Sequence, residues 1–400
     1  MNLIVLSHIF PRKSAPTYGT FVEEQVQALK KKVRGEITVI SPIPWSPRFL
    51  WFRKKWREYG QVEKESVRMG INVRYKRYVL IPGKFFLPIE GFLMYLSVRS
   101  LIKTLIKANK SRIILHAHTV LPDGLAAIFL KKKFGIKIVC TAHGSDINLY
   151  PFRTKFIYVM TKYVLRRADA LVGVSEKLQE KIRDISQRDD VKVVTNGVNP
   201  EKITGNNIRL NTRNLKNDTL SILFVGKLCF EKGIKELLNT FKLLSKEHKH
   251  LHLIMVGKNT IPKWIESFIK ENQMYDSITL TGPVDHEDLK KYYSSASIFV
   301  LPSHIEGMPT VMFEAMANRL PIIISRVGGV EEVIKEGING LLVEPRSEEE
   351  LHRKLNLVIK EKSLRDAIGM KAYDEVLSKY TWDHNADKMS FIYKDVLQIN

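Results

Sequence analysis

Two carboxylates stand eight residues apart in the run E-G-M-P-T-V-M-F-E: Glu306 and Glu314. Gly307, Met308, Pro309, Thr310 and Val311 lie between them. Pro309 suits the first turn of a helix, because its missing N–H would go unpaired there in any residue. The amides of Gly307, Met308, Thr310 and Val311 then gather at a helix start, where partial positive charge attracts anions. A bare anion gains nothing from flanking carboxylates. A phosphorylated sugar does, with amides for its phosphate and carboxylates for its hydroxyls. Taken singly, Glu314 reads equally well as an exposed helix position and Glu306 as a capping carboxylate. Met312, Phe313 and Met316 are expected on the buried side of this helix, and Val311, Ala315 and Asn318 on the other.

A second cluster is cationic. V-G-K-L-C-F-E-K-G places Gly226 and Lys227 at a strand end and Lys232 at the start of the next helix. Two ammonium groups converging beside a helix N-terminus make a phosphate site. With 64 Lys and Arg in the chain, two surface lysines are the plain alternative. T-A-H-G-S-D sets His143 just past a strand, where a lone histidine is more often structural. Asp146 reads as a turn cap. Asp123, in L-P-D-G, reads as a helix cap, with approach to an acceptor hydroxyl as the alternative. His116 and His118 read as facing opposite ways from their strand, against a shared metal. No metal site is expected. Gly19, in T-Y-G-T-F, lets backbone approach a ligand closely. N-G-V-N, from Asn196 to Asn199, reads as hinge-facing structure.

The elements that must hold these groups alternate. Apolar runs at 2–9, 36–41, 71–79, 112–118, 137–143, 170–174 and 191–195 read as strands separated by amphipathic helices. A polar stretch at 202–219 reads as a linker. Alternation then resumes, with strands at 220–226, 251–257, 278–282, 297–301, 322–324 and 340–343. That order implies α/β domains with parallel sheets covered on both faces. In such sheets ligands sit beyond the carboxyl ends of strands, where Gly19, His118, His143 and Asn196 fall. The expected domains are 1–200 and 201–380, with a last amphipathic helix at 381–400.

Composition narrows the class. Four hundred residues, 44% hydrophobic, exceed one ordinary core and imply two domains. Cys140 and Cys229 are the only cysteines, which implies a reducing compartment without a disulfide framework. No signal segment and no run long enough to span a bilayer is evident. A cytoplasmic protein is expected, with peripheral attachment to the inner membrane face as a further expectation. The net charge of +22 is uneven, with sixteen Lys and Arg against four Asp and Glu from Arg48 to Arg112. In residues 45–57, Trp45, Trp51, Phe52 and Trp56 interleave with Arg48, Arg53, Lys54, Lys55 and Arg57, a mixture suited to an anionic membrane surface. The charge also prompts a nucleic-acid-binding reading. No nucleic-acid motif accompanies it, and no nucleic-acid partner is expected.

E-G-M-P-T-V-M-F-E-A-M-A resembles the E-x7-E segment of retaining glycosyltransferases of the GT-B fold, in glycosyltransferase family 4 and its glycogen- and sucrose-synthase-like relatives. The resemblance implies two doubly wound Rossmann-like domains facing across a cleft, with the last helix returning to the N-terminal one. It implies that Glu306 faces the donor sugar and that Glu314 holds the ribose hydroxyls of a nucleotide-sugar, a UDP-sugar by expectation. Lys227 and Lys232 would meet the diphosphate, His143 a sugar hydroxyl, and the Gly19 loop the donor phosphates or the acceptor. The family pattern usually has Gly where Pro309 stands and Arg where Lys227 stands. The lysine keeps the charge but lacks the two-pronged grip of a guanidinium. A leaving diphosphate oxygen can take the acceptor proton, so neither a protein base nor a cofactor is demanded. The segments S-H-I-F-P-R and S-P-I-P-W are similar to bacterial enzymes that build anionic cell-wall polymers, which points to a glycan or polyprenyl-linked acceptor. A GT-B epimerase acting on sugar nucleotides, or a phosphorylase, is the alternative enzyme class.

Overall fold

The computed structural model describes residues 1–80, 83–108, 112–205 and 219–398. Most of the expected linker, residues 206–218, lies outside the described residues. The chain forms two compact units, Met1–Thr195 with Trp382–Asn400, and Asn196–Thr381. The division falls a few residues before the expected boundary. Val198 pairs with Thr381, and Asn196 hydrogen-bonds the Met308 carbonyl, so the N-G-V-N run belongs to the second unit.

The first unit is built on eight strands: β1 (Asn2–Leu6), β2 (Ile37–Pro44), β3 (Glu65–Arg68), β4 (Ile71–Tyr78), β5 (Ile113–His118), β6 (Lys137–Ala142), β7 (Ala170–Gly173) and β8 (Val191–Val193). Their order across the sheet is β3-β4-β2-β1-β5-β6-β7-β8. All pairings are parallel except β3 with β4. Central strands such as β1, with Leu3 to Leu6 buried, are apolar on both faces because helices cover both sides. The edge strand β3 escaped the sequence reading. Its four residues, E-S-V-R, leave Val67 exposed and carry no buried alternation.

The final helix, Trp382–Leu397, completes this unit. Its Trp382, Ala386, Met389 and Tyr393 join the core that also contains Val22, Val26 and Leu29 of the helix Thr20–Lys32. Polar contacts fix its position. The Gln25 amide donates to Asn385 at 2.7 Å, Asn385 donates to the Thr195 carbonyl at 2.7 Å, and the Tyr393 hydroxyl meets His116 Nδ1 at 2.7 Å.

The second unit carries β9 (Leu220–Val225), β10 (Leu251–Val256), β11 (Ile278–Gly282), β12 (Ile298–Leu301), β13 (Ile322–Ser325) and β14 (Leu341–Val343). The sheet is parallel, in the order β11-β10-β9-β12-β13-β14. Each sheet reverses its winding once, between β1 and β5 in the first unit and between β9 and β12 in the second. Loops leaving adjacent strands at such a point diverge and leave a crevice beyond their carboxyl ends. Among the described residues no helix is long and apolar enough to cross a membrane.

His116 and His118 correct an expectation. Residues two apart in a strand point to the same face, and the two rings lie 4.2 Å apart. Even so, among the described residues no group of three His, Cys, Asp or Glu could hold a metal ion. Both rings are buried neutral. Burial pushes the His116 pKa down to about 3 and holds that of His118 well below 6.5.

An unfolded chain protonates both imidazoles below pH ~6.5. The folded form therefore loses stability as pH falls from 6.5 toward 3, at up to about 3 kcal/mol per pH unit. Unfolding free energies measured by urea between pH 7.5 and 5 should drop below 6.5, and a flat profile would contradict this. Tyr393→Phe should cost about 1–3 kcal/mol, because it strands a buried imidazole nitrogen. An unchanged urea midpoint would show that the hydroxyl contributes nothing.

Candidate active site

In the second unit the crevice between β9 and β12 collects the residues that the sequence singled out. After β9 the chain passes Gly226 and the exposed Lys227, turns through a short 3₁₀ segment, Phe230–Lys232, and enters the helix Ile234–Glu247. Gly233 makes the turn at φ +69°. A Cβ there would meet the Pro302 carbonyl oxygen at 1.9 Å, so only glycine lets this turn touch the end of β12. Lys232 thus lies in the turn before the helix rather than in its first residues.

The loop after β12 is stitched to that turn. Lys232 Nζ donates to Glu306 Oε1 at 2.5 Å, and Ser303 Oγ donates to the same oxygen at 2.7 Å. The His304 amide donates to the Glu231 carbonyl at 2.9 Å, and the His304 ring meets Glu236 at 3.0 Å. On the other side the Gly329 amide donates to the Gly307 carbonyl at 2.8 Å. Gly328, at φ +58°, leaves room for the carbonyls of Glu306 and Gly307, which a Cβ would meet at 2.5 and 2.4 Å. Asn196 holds the Met308 carbonyl at 3.0 Å, a direct site contact that the sequence reading had not assigned to it.

These ties deliver the helix Thr310–Ala317 with Pro309 as its N-cap residue, one position earlier than expected. Pro309 supplies no side-chain cap. Among the described residues the amides of Gly307, Met308, Thr310 and Val311 have no acceptor. The helix is buried from Met312 to Ala317, including Ala315, which was expected on the outer side.

The two lysines do not act as a free pair. Lys232 is neutralised by Glu306, while Lys227 makes no hydrogen bond or ion pair among the described residues and acts through its field on the exposed Glu231. Glu314, 6% exposed, is held separately: His286 Nε2 lies 3.0 Å from one oxygen, and the Tyr293 hydroxyl donates to the other at 2.7 Å. Each carboxylate oxygen keeps a second acceptor position. A groove of about 720 Å³, lined by Lys263, Glu266, Lys270 and Tyr275, contains none of these residues.

The first unit holds a second cluster, at the crevice between β1 and β5. A cavity of about 690 Å³ there is lined by His8, Arg12, Tyr59, Glu90, His143 and Asp146 among others. His8 Nδ1 lies 2.8 Å from Asp123 Oδ2, and the His8 amide donates to Asp123 Oδ1 at 3.1 Å. Asp123 is fully buried and also accepts from Thr119 Oγ1 at 3.1 Å, so it binds His8 and Thr119 instead of capping a helix. Burial alone would depress the His8 pKa, but the Asp123 carboxylate outweighs it and raises the value. Thr119 sits at φ +98°, an outlying conformation for a β-branched residue. Sequence reasoning missed His8, although its place two residues past β1 is the signal that drew attention to His143.

His143 Nε2 lies 3.1 Å from His118 Nδ1, and its ring packs 4.7 Å from that of Phe21. Asp146 accepts the amides of His143, Gly144 and Val120, fixing the turn that presents His143. Gly19, at φ +79°, answers an internal need: a Cβ there would meet the Ile9 carbonyl oxygen at 2.2 Å.

The family model described as Glycosyltransferase Family 4 matches residues 19–202, and the one described as Glycosyl transferases group 1 matches residues 209–375. Over 404 aligned residues the chain is 30% identical to a Bacillus subtilis protein named for teichuronic acid biosynthesis, the glycosyltransferase TuaC, with 99% of each covered. Sucrose-phosphate synthase of Thermosynechococcus elongatus superposes at a TM-score of 0.82 and 19% identity over 100% of both chains. Anabaena HepE, solved with UDP-glucose, superposes at 0.72 and 13% identity over 99% of this chain and 100% of that one. At such identities these two structures speak for the fold alone. The chain belongs to the family 4 glycosyltransferases, has their GT-B fold and is a transferase.

Proposed function

We propose that the chain moves a hexose-type sugar from a UDP-sugar, with retention of anomeric configuration, to a hydroxyl of a glycan or lipid-linked acceptor in cell-surface polysaccharide biosynthesis. The observation that carries this reading is the set of unpaired amides from Gly307 to Val311 beside Lys227 and the Lys232–Glu306 pair. Four N–H groups and an ammonium held in no ion pair favour a dianionic group over a neutral one. The teichuronic acid relative supports the polymer, and the UDP-glucose complex of HepE supports the nucleotide.

In this reading the diphosphate rests on the amides and Lys227. Lys232 shifts part of its charge from Glu306 to the leaving phosphate as the glycosidic bond breaks. Stabilisation of this kind is commonly worth about 3–4 kcal/mol per donor. Glu314 takes the ribose hydroxyls through the acceptor positions left by His286 and Tyr293. The ammonium groups supply the positive charge, so no divalent ion is required. Family membership favours transfer over the epimerase reading, and a sugar nucleotide left unchanged without acceptor would agree.

The exposed Trp45, Phe49 and Phe52, beside Arg48, Arg53 and Lys54, support attachment to an anionic membrane.

Glu314→Ala and Lys232→Ala should each cut transfer from a UDP-sugar by at least 100-fold with the fold retained, and activity should persist in excess EDTA. Undiminished turnover in both variants would remove this site from the mechanism. The chain should float with phosphatidylglycerol vesicles, and Phe49→Ala with Phe52→Ala should weaken flotation. Equal recovery with neutral phosphatidylcholine vesicles would contradict attachment through charge.

A further inference from the structure

Glu314 is an unfavourable residue for a short buried helix. It is 6% exposed, and its neighbours Phe313, Ala315 and Met316 are buried and apolar. Taking a carboxylate out of water opposes folding, and a buried charge held by donors is often no more stabilising than an apolar side chain in its place. Stability therefore does not account for the way this carboxylate is held.

Both of its holders come from one segment. The sheet order is β11-β10-β9-β12, so the connection from β11 to β12 passes two strands. It contains a short 3₁₀ segment, His286–Asp288, and the helix Leu289–Ser295. His286 Nε2 lies 3.0 Å from Glu314 Oε1, and the Tyr293 hydroxyl donates to Oε2 at 2.7 Å. Burial, with the Glu314 charge adding to it, raises the Tyr293 pKa well above 10, so this group stays a hydroxyl and a donor. An ionised carboxylate only accepts, so the imidazole nitrogen facing it carries a proton.

The two holders differ in what can reach them. Tyr293 is fully buried, whereas the His286 side chain is 25% exposed. Tyr293 closes the inner edge of the carboxylate, and His286 stands at the edge open to a ligand. The terminal torsion of a glutamate is soft. With one donor the carboxylate still turns about it, and with a donor on each oxygen its plane is fixed. A fixed plane offers two acceptor positions at a set spacing, which suits two adjacent hydroxyls.

We infer that His286 is a positioning residue for nucleotide recognition: it sets the plane of Glu314 so that the carboxylate accepts both ribose hydroxyls, and the preference of the chain for a ribonucleotide depends on it. The inference rests on the proposed contact between Glu314 and ribose. It adds a residue that touches the carboxylate from a different loop.

Titration calorimetry on the full chain with UDP and with 2′,3′-dideoxyuridine diphosphate tests it. Hydrogen bonds to a charged group are worth about ten-fold or more in affinity, so the chain should bind UDP at least about ten-fold tighter than the dideoxy analogue. His286→Ala should shrink that preference below about three-fold through loss of UDP affinity. His286→Gln, whose amide can donate from nearly the same place, should restore most of it. If His286→Ala keeps the preference while Glu314→Ala loses it, the inference is overturned and the ribose contact stands. If Glu314→Ala keeps the preference, or the unaltered chain shows none, the ribose contact itself is wrong and the inference falls with it. Equal weakening of both nucleotides in His286→Ala and His286→Gln would also overturn it, by showing that the histidine serves only the fold of its loop.

Discussion

The bond between Lys232 and Glu306 sets the arrangement of the second unit's site. One carboxylate oxygen takes both the Lys232 ammonium and the Ser303 hydroxyl, which joins the turn after β9 to the loop after β12. Gly233 makes the join possible, because a Cβ there would collide with the Pro302 carbonyl, and Gly328 lets the loop after β13 close on the other side of Glu306. Neutralising Lys232 in this way has an electrostatic consequence. Lys232 and Glu306 cancel one another, so in the proposed reading the unpaired amides and Lys227 are what an anion would meet. A charged pair this buried contributes little net stability. Its value lies in fixing the helix start beside the turn after β9.

Both units solve the same problem at the same place in their sheets. At each reversal of winding, the loops after two neighbouring strands carry a carboxylate bound to a cation or imidazole: Glu306 with Lys232, and Asp123 with His8. The difference is in solvation. Asp123 is fully buried and His8 only partly, so the imidazole faces the cavity while the carboxylate orients it. In the second unit backbone amides do the facing.

Much of this was legible in the residues themselves. Continuous apolar runs marked the parallel strands, since sheets covered on both faces need no polar alternation, and E-G-M-P-T with V-G-K marked the loops that the structure brings together after β12 and β9. What stayed hidden depends on contacts across long stretches of chain. The partners of Lys232 and of His8 lie 74 and 115 residues away. No local pattern distinguishes an ammonium bound to Glu306 from one left free. Asp123 looked like a cap because caps are local and its true partners are not. The burial of Ala315 comes from neighbours on both sides of a short helix, so an amphipathic reading failed there. β3 has too few buried side chains to announce itself.

The most direct test of the central claim is a crystal structure of the chain with UDP. The account predicts the diphosphate on the amides of Gly307 to Val311 and on Lys227, with the ribose hydroxyls within hydrogen-bond reach of Glu314. Nucleotide bound elsewhere, with that helix start and Lys227 left to solvent, would contradict it.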